Sequence, residues 1–88
     1  MLFEWDEKKN AANLEKHGIG FSEADEFDWD NAYITDQTRK EEGEKRLVAV
    51  SFMGGKLYTI IFTMRGKAVR CISLRRSNKR EERDYANR

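Results

Sequence analysis

Residues 46–76 read RLVAVSFMGGKLYTIIFTMRGKAVRCISLRR, and the fold turns on how this stretch is parsed. Three apolar runs, Leu47–Phe52, Leu57–Met64 and Ala68–Leu74, are parted by two short glycine-bearing breaks, Met53-Gly54-Gly55-Lys56 and Arg65-Gly66-Lys67. Runs of this length rich in β-branched and aromatic residues are strands, and glycine supplies the positive φ of tight hairpins. Three adjacent antiparallel strands are therefore predicted. Along the middle run both alternating sets are apolar, Tyr58/Ile60/Phe62 and Leu57/Thr59/Ile61, so both faces of the sheet should be at least partly covered.

Working outward towards the N-terminus, Leu2-Phe3-Glu4-Trp5 alternates apolar and polar residues as a short strand does. Asp6 then stands where a helix N-cap belongs, and Gly18 where a C-cap belongs, which predicts a helix from about Glu7 to His17 with Ala11, Leu14 and Ala12 on its apolar face. Ser22, with Asp25 three residues on, predicts a second, shorter capped helix facing the core through Ala24 and Phe27. Ala32–Thr35 reads as a strand and the polar run from Asp36 to Glu44 as a loop. Beyond the three strands, Asn78 caps a last helix that reaches about Asn87, with Glu81 at its third position; the segment is too polar for a core helix. The expected architecture is α+β: a single small domain over residues 1–88, a mainly antiparallel sheet preceded by two helices and followed by one.

The 88 residues suit one compact domain. Charged residues make up 38% and hydrophobic residues 39%, so a small core inside an ionic shell is expected. The net charge of +1 conceals a strong polarity. Residues 1–44 hold 5 Lys/Arg against 13 Asp/Glu, a balance of −8, and residues 45–88 hold 12 against 3, a balance of +9. Such asymmetry points to a polyanion-facing surface built from the second half, or to two halves that neutralise each other across the fold. The single cysteine, Cys71, excludes an internal disulfide. Neither a signal-peptide pattern nor a membrane-spanning run is evident, which leads to the expectation of a soluble, cytoplasmic protein with no membrane role.

Several residues carry candidate chemistry. Cleaving a phosphodiester of such a polyanion without a metal needs help for the attacking hydroxyl to lose its proton, stabilisation of charge on the phosphate, and a proton for the leaving oxygen. Arginine suits the second task because it stays charged and grips phosphate with two N–H groups. Arg65 ends one strand, and Arg70 and Arg75 lie on the next across a tight hairpin, so these guanidinium groups are expected to converge on one phosphate. On an ideal strand Arg70 and Arg75 point to opposite faces, so Arg70 joins them only if a bulge intervenes; Arg76 has the parity of Arg70. With Arg70 and Arg76, the cations Lys79, Arg80 and Arg83 form a candidate substrate-binding patch for the backbone. His17 is the natural proton-transfer group or simply, with Lys16, a cation at a helix C-terminus. Lys16 is otherwise a phosphate ligand or a base. Glu81 and Tyr85, four apart, should project from one face of the last helix, Tyr85 either stacking on a base or anchoring the helix. The acidic set Asp28, Asp30 and Asp36 lacks ordered metal-ligand spacing, and no cofactor is expected. Cys71 should be buried and inert.

These residues also fall into a pattern. Phe3-Glu4-Trp5-Asp6, Lys9-Asn10, Asn13, Lys16-His17-Gly18 and Phe21 resemble the N-terminal signature of BrnT toxins. The Tyr58–Thr63 strand, Arg65-Gly66, Arg70, Ile72-Ser73-Leu74-Arg75-Arg76-Ser77, Glu81 and Tyr85 resemble the second signature. The joint pattern covers nearly the whole chain. Two departures are the absence of proline within Asp28–Asn31 and Cys71 in place of an aliphatic residue. The resemblance implies a RelE-like fold and an endoribonuclease toxin of a type II toxin–antitoxin system that inhibits translation. It also implies a BrnA-like antitoxin partner, with DNA met only indirectly through the antitoxin complex. It favours Arg65 and Arg75 as catalytic groups and strengthens His17. The alternative from the charge pattern is a non-enzymatic module that binds nucleic acid through one half and its antitoxin through the other.

Overall fold

A computed structural model describes residues 1–41 and 43–88; of the loop expected over Asp36 to Glu44, Glu42 lies outside the described residues. The predicted three-strand core is present as β3 (Leu47–Met53), β4 (Lys56–Arg65) and β5 (Ala68–Arg76), in antiparallel pairs. Their hairpins turn on Gly54 and Gly55, at φ 62° and 87°, and on Gly66, at φ 59°, values a side chain with a Cβ adopts only with strain. β2 (Tyr33–Asp36) pairs antiparallel with β3, while β1 (Leu2–Glu4) pairs parallel with Ala68–Arg70 of β5. The result is a five-stranded mixed sheet in the order β1-β5-β4-β3-β2, in a small α+β domain with three helices.

Helix α1 (Glu7–His17) is capped by the Asp6 carboxylate, which accepts from Lys8 N, and ends on Gly18. The second, shorter helix expected after it is present as a 3₁₀ helix over Phe21–Glu26, but it is not capped by Ser22. Its first turn begins before Ser22, and no side chain of its own caps it. Instead Asn10 Oδ1 accepts the Phe21 N–H at 2.8 Å, so a residue of α1 supplies the missing acceptor. This segment and a following short turn are pinned over β3, where Ser51 Oγ donates to Asp28 O at 2.7 Å and Asp28 N donates to Phe52 O at 3.0 Å. The last helix, α2 (Lys79–Ala86), has the capping box expected of Asn78 and Glu81.

Directly opposed residues on neighbouring strands share a face. One face of the sheet carries Ala49, Ile60, Phe62, Cys71 and Leu74, and the core forms where Phe21, Ala24, Phe27 and Ile19 pack onto it. The opposite face carries Val48, Val50, Thr59, Ile61 and Thr63, and α2 covers one end of it through an edge-to-face stack of Tyr85 on Phe52, 5.6 Å between centroids. Helix α1 closes the edge of β5 beyond the short β1. There the side chain of Asn13 accepts from Leu74 N and donates to Leu74 O and Ile19 O, so one amide pairs the edge of β5 at Leu74. Among the described residues no helix is long and apolar enough to cross a membrane.

Candidate active site

The second face of the sheet, between α1 and α2, holds the candidate site. In the β4–β5 ladder Ile61 opposes Ser73 but Phe62 opposes Cys71, so Ile72 is the extra residue of a β-bulge. This bulge supplies the condition under which Arg70 shares a face with Arg75. It also turns Arg76 to the opposite face, where its guanidinium lies 5.5 Å from the centre of the Tyr58 ring, away from the other arginines. Arg76 therefore does not join the site.

Sharing a face is not the same as converging. Arg70 opposes Thr63, two residues from Arg65, or about 7 Å of strand. Arg75 opposes Thr59, six residues from Arg65 and about 20 Å away. The expected pairing of Arg65 with Arg75 on one phosphate is thus replaced by a pairing of Arg65 with Arg70. Both line a cavity of about 170 Å³ at the hairpin end, floored by Thr63 and Ile72 and walled by Lys9 of α1 and Arg46 ahead of β3. Two carboxylates already touch its arginines. Glu4 holds Arg70 at 2.8 Å, and Glu44 lies 3.4 Å from Arg65, where both side chains are half exposed. The acidic half of the chain thus neutralises part of the basic half, while the cavity keeps a surplus of cations.

Arg75 belongs to a different assembly. Its two terminal nitrogens donate to the two oxygens of Glu81 at 2.8 and 2.9 Å, and Glu81 Oε1 also accepts the N–H of Asn78 at 2.9 Å. Burial pushes the Glu81 carboxyl up. The hydrogen bonds from Arg75 and from the Asn78 backbone, with a contribution from Thr59 and the charge of Arg75, outweigh it and hold the carboxyl below the usual carboxylate range. The same Glu81 contact raises the Arg75 guanidinium above its ordinary value against the opposing effect of burial. With both oxygens engaged, Glu81 is a brace that fixes α2 on the sheet. Tyr85 is buried against Phe52, and the Arg88 guanidinium covers its ring 3.7 Å from the centroid, so it anchors α2 and offers no face for a base.

His17 and Lys16 are exposed at the end of α1 and line a second cavity with Lys9, Asn13, Ile72 and Ser73. Lys79, Arg80 and Arg83 are exposed on α2; Arg80 overlooks a hollow with Tyr33, Thr35 and Val48, separate from the hairpin-end arginines. Cys71 is buried in mid-strand, and burial pushes its thiol up to about 11, which removes it as a nucleophile near neutral pH. Sequence reasoning missed Lys9 and Arg46 as cavity residues. Lys9 stands seven residues before Lys16, two helical turns away on the same side of α1, a spacing that was visible in the chain. Nothing in the sequence places Arg46 at the same cavity as Arg65, since that depends on the β3–β4 register.

Among curated proteins no relative matches the chain. The family described as ribonuclease toxin, BrnT, of type II toxin–antitoxin systems matches residues 5–81 of the 88. That span takes in α1, all of β2 to β5, the bulge and the hairpin-end arginines, and on it the chain belongs to the BrnT family of ribonuclease toxins.

Proposed function

We propose that this toxin is an endoribonuclease that cleaves RNA without a metal and thereby inhibits translation in the cytoplasm. In this reading residues 1–88 act as one RelE-like toxin domain, a BrnA-like antitoxin silences it, and DNA is reached only through the antitoxin complex. The observation that carries the reading is the hairpin-end cavity, in which Arg65 and Arg70 stand on adjacent strands and face the same space as Lys9 and Arg46. Two planar guanidinium groups about 7 Å of strand apart suit a phosphodiester whose equatorial oxygens gain charge as the 2′-hydroxyl attacks. Their task is to stabilise that charge. His17, the only histidine, is the proposed proton-transfer group, with Lys16 binding a neighbouring phosphate. Arg75 and Glu81 are assigned the support of α2, and Tyr85 its anchoring.

The test is to incubate the purified chain with a defined RNA in EDTA and to map the product ends. Cleavage leaving 2′,3′-cyclic phosphates is expected, with a loss of about 100-fold or more in the Arg65→Ala/Arg70→Ala variant, checked for folding. Undiminished cleavage by that variant would remove the arginine pair from the mechanism. Binding without cleavage by the wild-type chain would make the protein a nucleic-acid-binding module.

A further inference from the structure

The two cavities beside α1 are not separate features. Lys9 and Ile72 line both, so the hairpin-end cavity with Arg65 and Arg70 adjoins the one lined by Lys16, His17 and Ser73. The shared residue Ile72 is the extra residue of the β-bulge, so the two cavities meet where the ladder is irregular. One wall of this groove is α1. Lys9 and Lys16 are seven residues apart on it, about 10 Å along the helix axis, and both are exposed. The other side is β5 with Arg70, and the floor is made by Thr63, Ile72 and Ser73. Among the described residues neither Lys9 nor Lys16 has a carboxylate within ion-pair distance, in contrast to Arg65 and Arg70.

We infer that this groove is a track for single-stranded RNA, in which Lys9 and Lys16 hold phosphates on the His17 side of the one gripped by Arg65 and Arg70. The inference rests on the ribonuclease reading and adds the strandedness of the substrate and one further binding residue, Lys9. Its physical basis is shape. A single strand can lay its phosphates along the lysines and present its bases to Ile72 and Ser73, whereas the rigid A-form duplex meets proteins through its outer backbone and shallow minor groove and does not enter a cleft between a helix and a strand. Lysines with no ion pair among the described residues suit sequence-tolerant contacts to a backbone, which is the part of recognition that salt weakens.

The experiment measures fluorescence anisotropy of the full chain with a 12-nucleotide 2′-O-methyl RNA, which lacks the attacking hydroxyl, as a single strand and as a duplex, over a range of salt concentrations. The wild-type chain is expected to bind the single strand at least 10-fold tighter than the duplex. Lys9→Ala/Lys16→Ala should lower single-strand affinity at least 10-fold and reduce the slope of log affinity against log salt by about 1.4, the value for two lost phosphate contacts. Lys56→Ala, at the distant β3–β4 turn, should change single-strand affinity less than about 2-fold at physiological salt. Thermal melts of all variants report folding. Equal binding of duplex and single strand, or an unaltered slope in the double lysine variant while the wild-type chain still cleaves RNA, overturns the track and leaves the ribonuclease reading standing. A wild-type chain that neither binds nor cleaves overturns both.

Discussion

Asn13 pairs through its side chain with the edge of β5 at Leu74 and so ties α1 to the sheet. It is buried, its carbonyl accepts from Leu74 N at 3.1 Å, and its amide N–H groups donate to Leu74 O and Ile19 O at 2.8 and 2.9 Å. Truncation would strand one N–H and two carbonyls away from water, each at a cost of roughly 1–3 kcal/mol. Asn13→Ala is therefore expected to lose about 3 kcal/mol, and its Tm should fall by more than about 10 °C in a domain of this size. Asn13→Asp should fare no better, since a carboxylate cannot donate to the two carbonyls; a melt within a few degrees of wild type for either would refute the assignment. Cys71 gives a second test at this scale. Its thiol is pushed up to about 11 in the folded chain, so the native state holds the proton more tightly than the unfolded one. That stabilisation is complete below the ordinary thiol range near pH 9 and is lost as pH rises towards 11, by about 2–3 kcal/mol. Denaturant titrations of wild type and Cys71→Ala at pH 8 and pH 10.5 should show the wild-type chain losing more stability over that interval.

At the level of elements, what the sequence made legible followed from local chemistry. Asp6 and Gly18 bound α1, Asn78 and Glu81 build a capping box, and the glycine turns set three strands, all within a few residues of the signals themselves. What was not legible depended on register. One extra residue at Ile72 puts Arg70 and Arg75 on one face, and counting along β4 then keeps Arg65 and Arg75 about 20 Å apart. Parity can be read from a strand, but the position of a bulge is settled by packing on both sides of the sheet. The short helix expected around Ser22 is present, but its start at Phe21 was not legible for a related reason, because its cap comes from Asn10 of another element. Helix α2 gives the prediction at this scale. Its eight residues are too few to persist alone, so its place depends on Tyr85 and on the Arg75–Glu81 pair. Glu81→Gln keeps the shape but loses the charge-assisted pair and should cost about 1–2 kcal/mol. Hydrogen exchange should report the loss as faster exchange in α2 than in β3 to β5. The Glu81 carboxyl is held below its ordinary range, so its contribution is present above about pH 4.5 and is lost as pH falls through the folded-state value. Equal acceleration across the sheet would mean that α2 is not a separately released unit.

For the whole molecule the governing quantity is the distribution of charge. A net charge of +1 provides almost no long-range attraction for RNA, yet the chain separates into halves of −8 and +9. Folding then does two things with that separation. It brings Glu4 and Glu44 of the acidic half against Arg70 and Arg65, and it gathers Lys9, Arg46 and the same two arginines around one cavity. Attraction for a polyanion should thus depend on where a charge sits, not on the total. Arg46→Glu and Lys56→Glu each exchange one positive for one negative charge and take the net charge from +1 to −1. Arg46 lies at the cavity, whereas Lys56 begins β4 at the other end, nine residues and about 30 Å from Arg65. Screening in physiological salt reaches only about 8 Å, so the distant reversal should be felt weakly at the cavity. At that salt concentration Arg46→Glu is expected to weaken single-stranded RNA binding at least 10-fold and Lys56→Glu less than about 2-fold. On dilution to about 0.01 M salt, where the screening length grows to about 30 Å, the Lys56→Glu deficit should become measurable. Equal losses in both variants at physiological salt would mean that net charge governs the encounter and that the cavity has no privileged role in it.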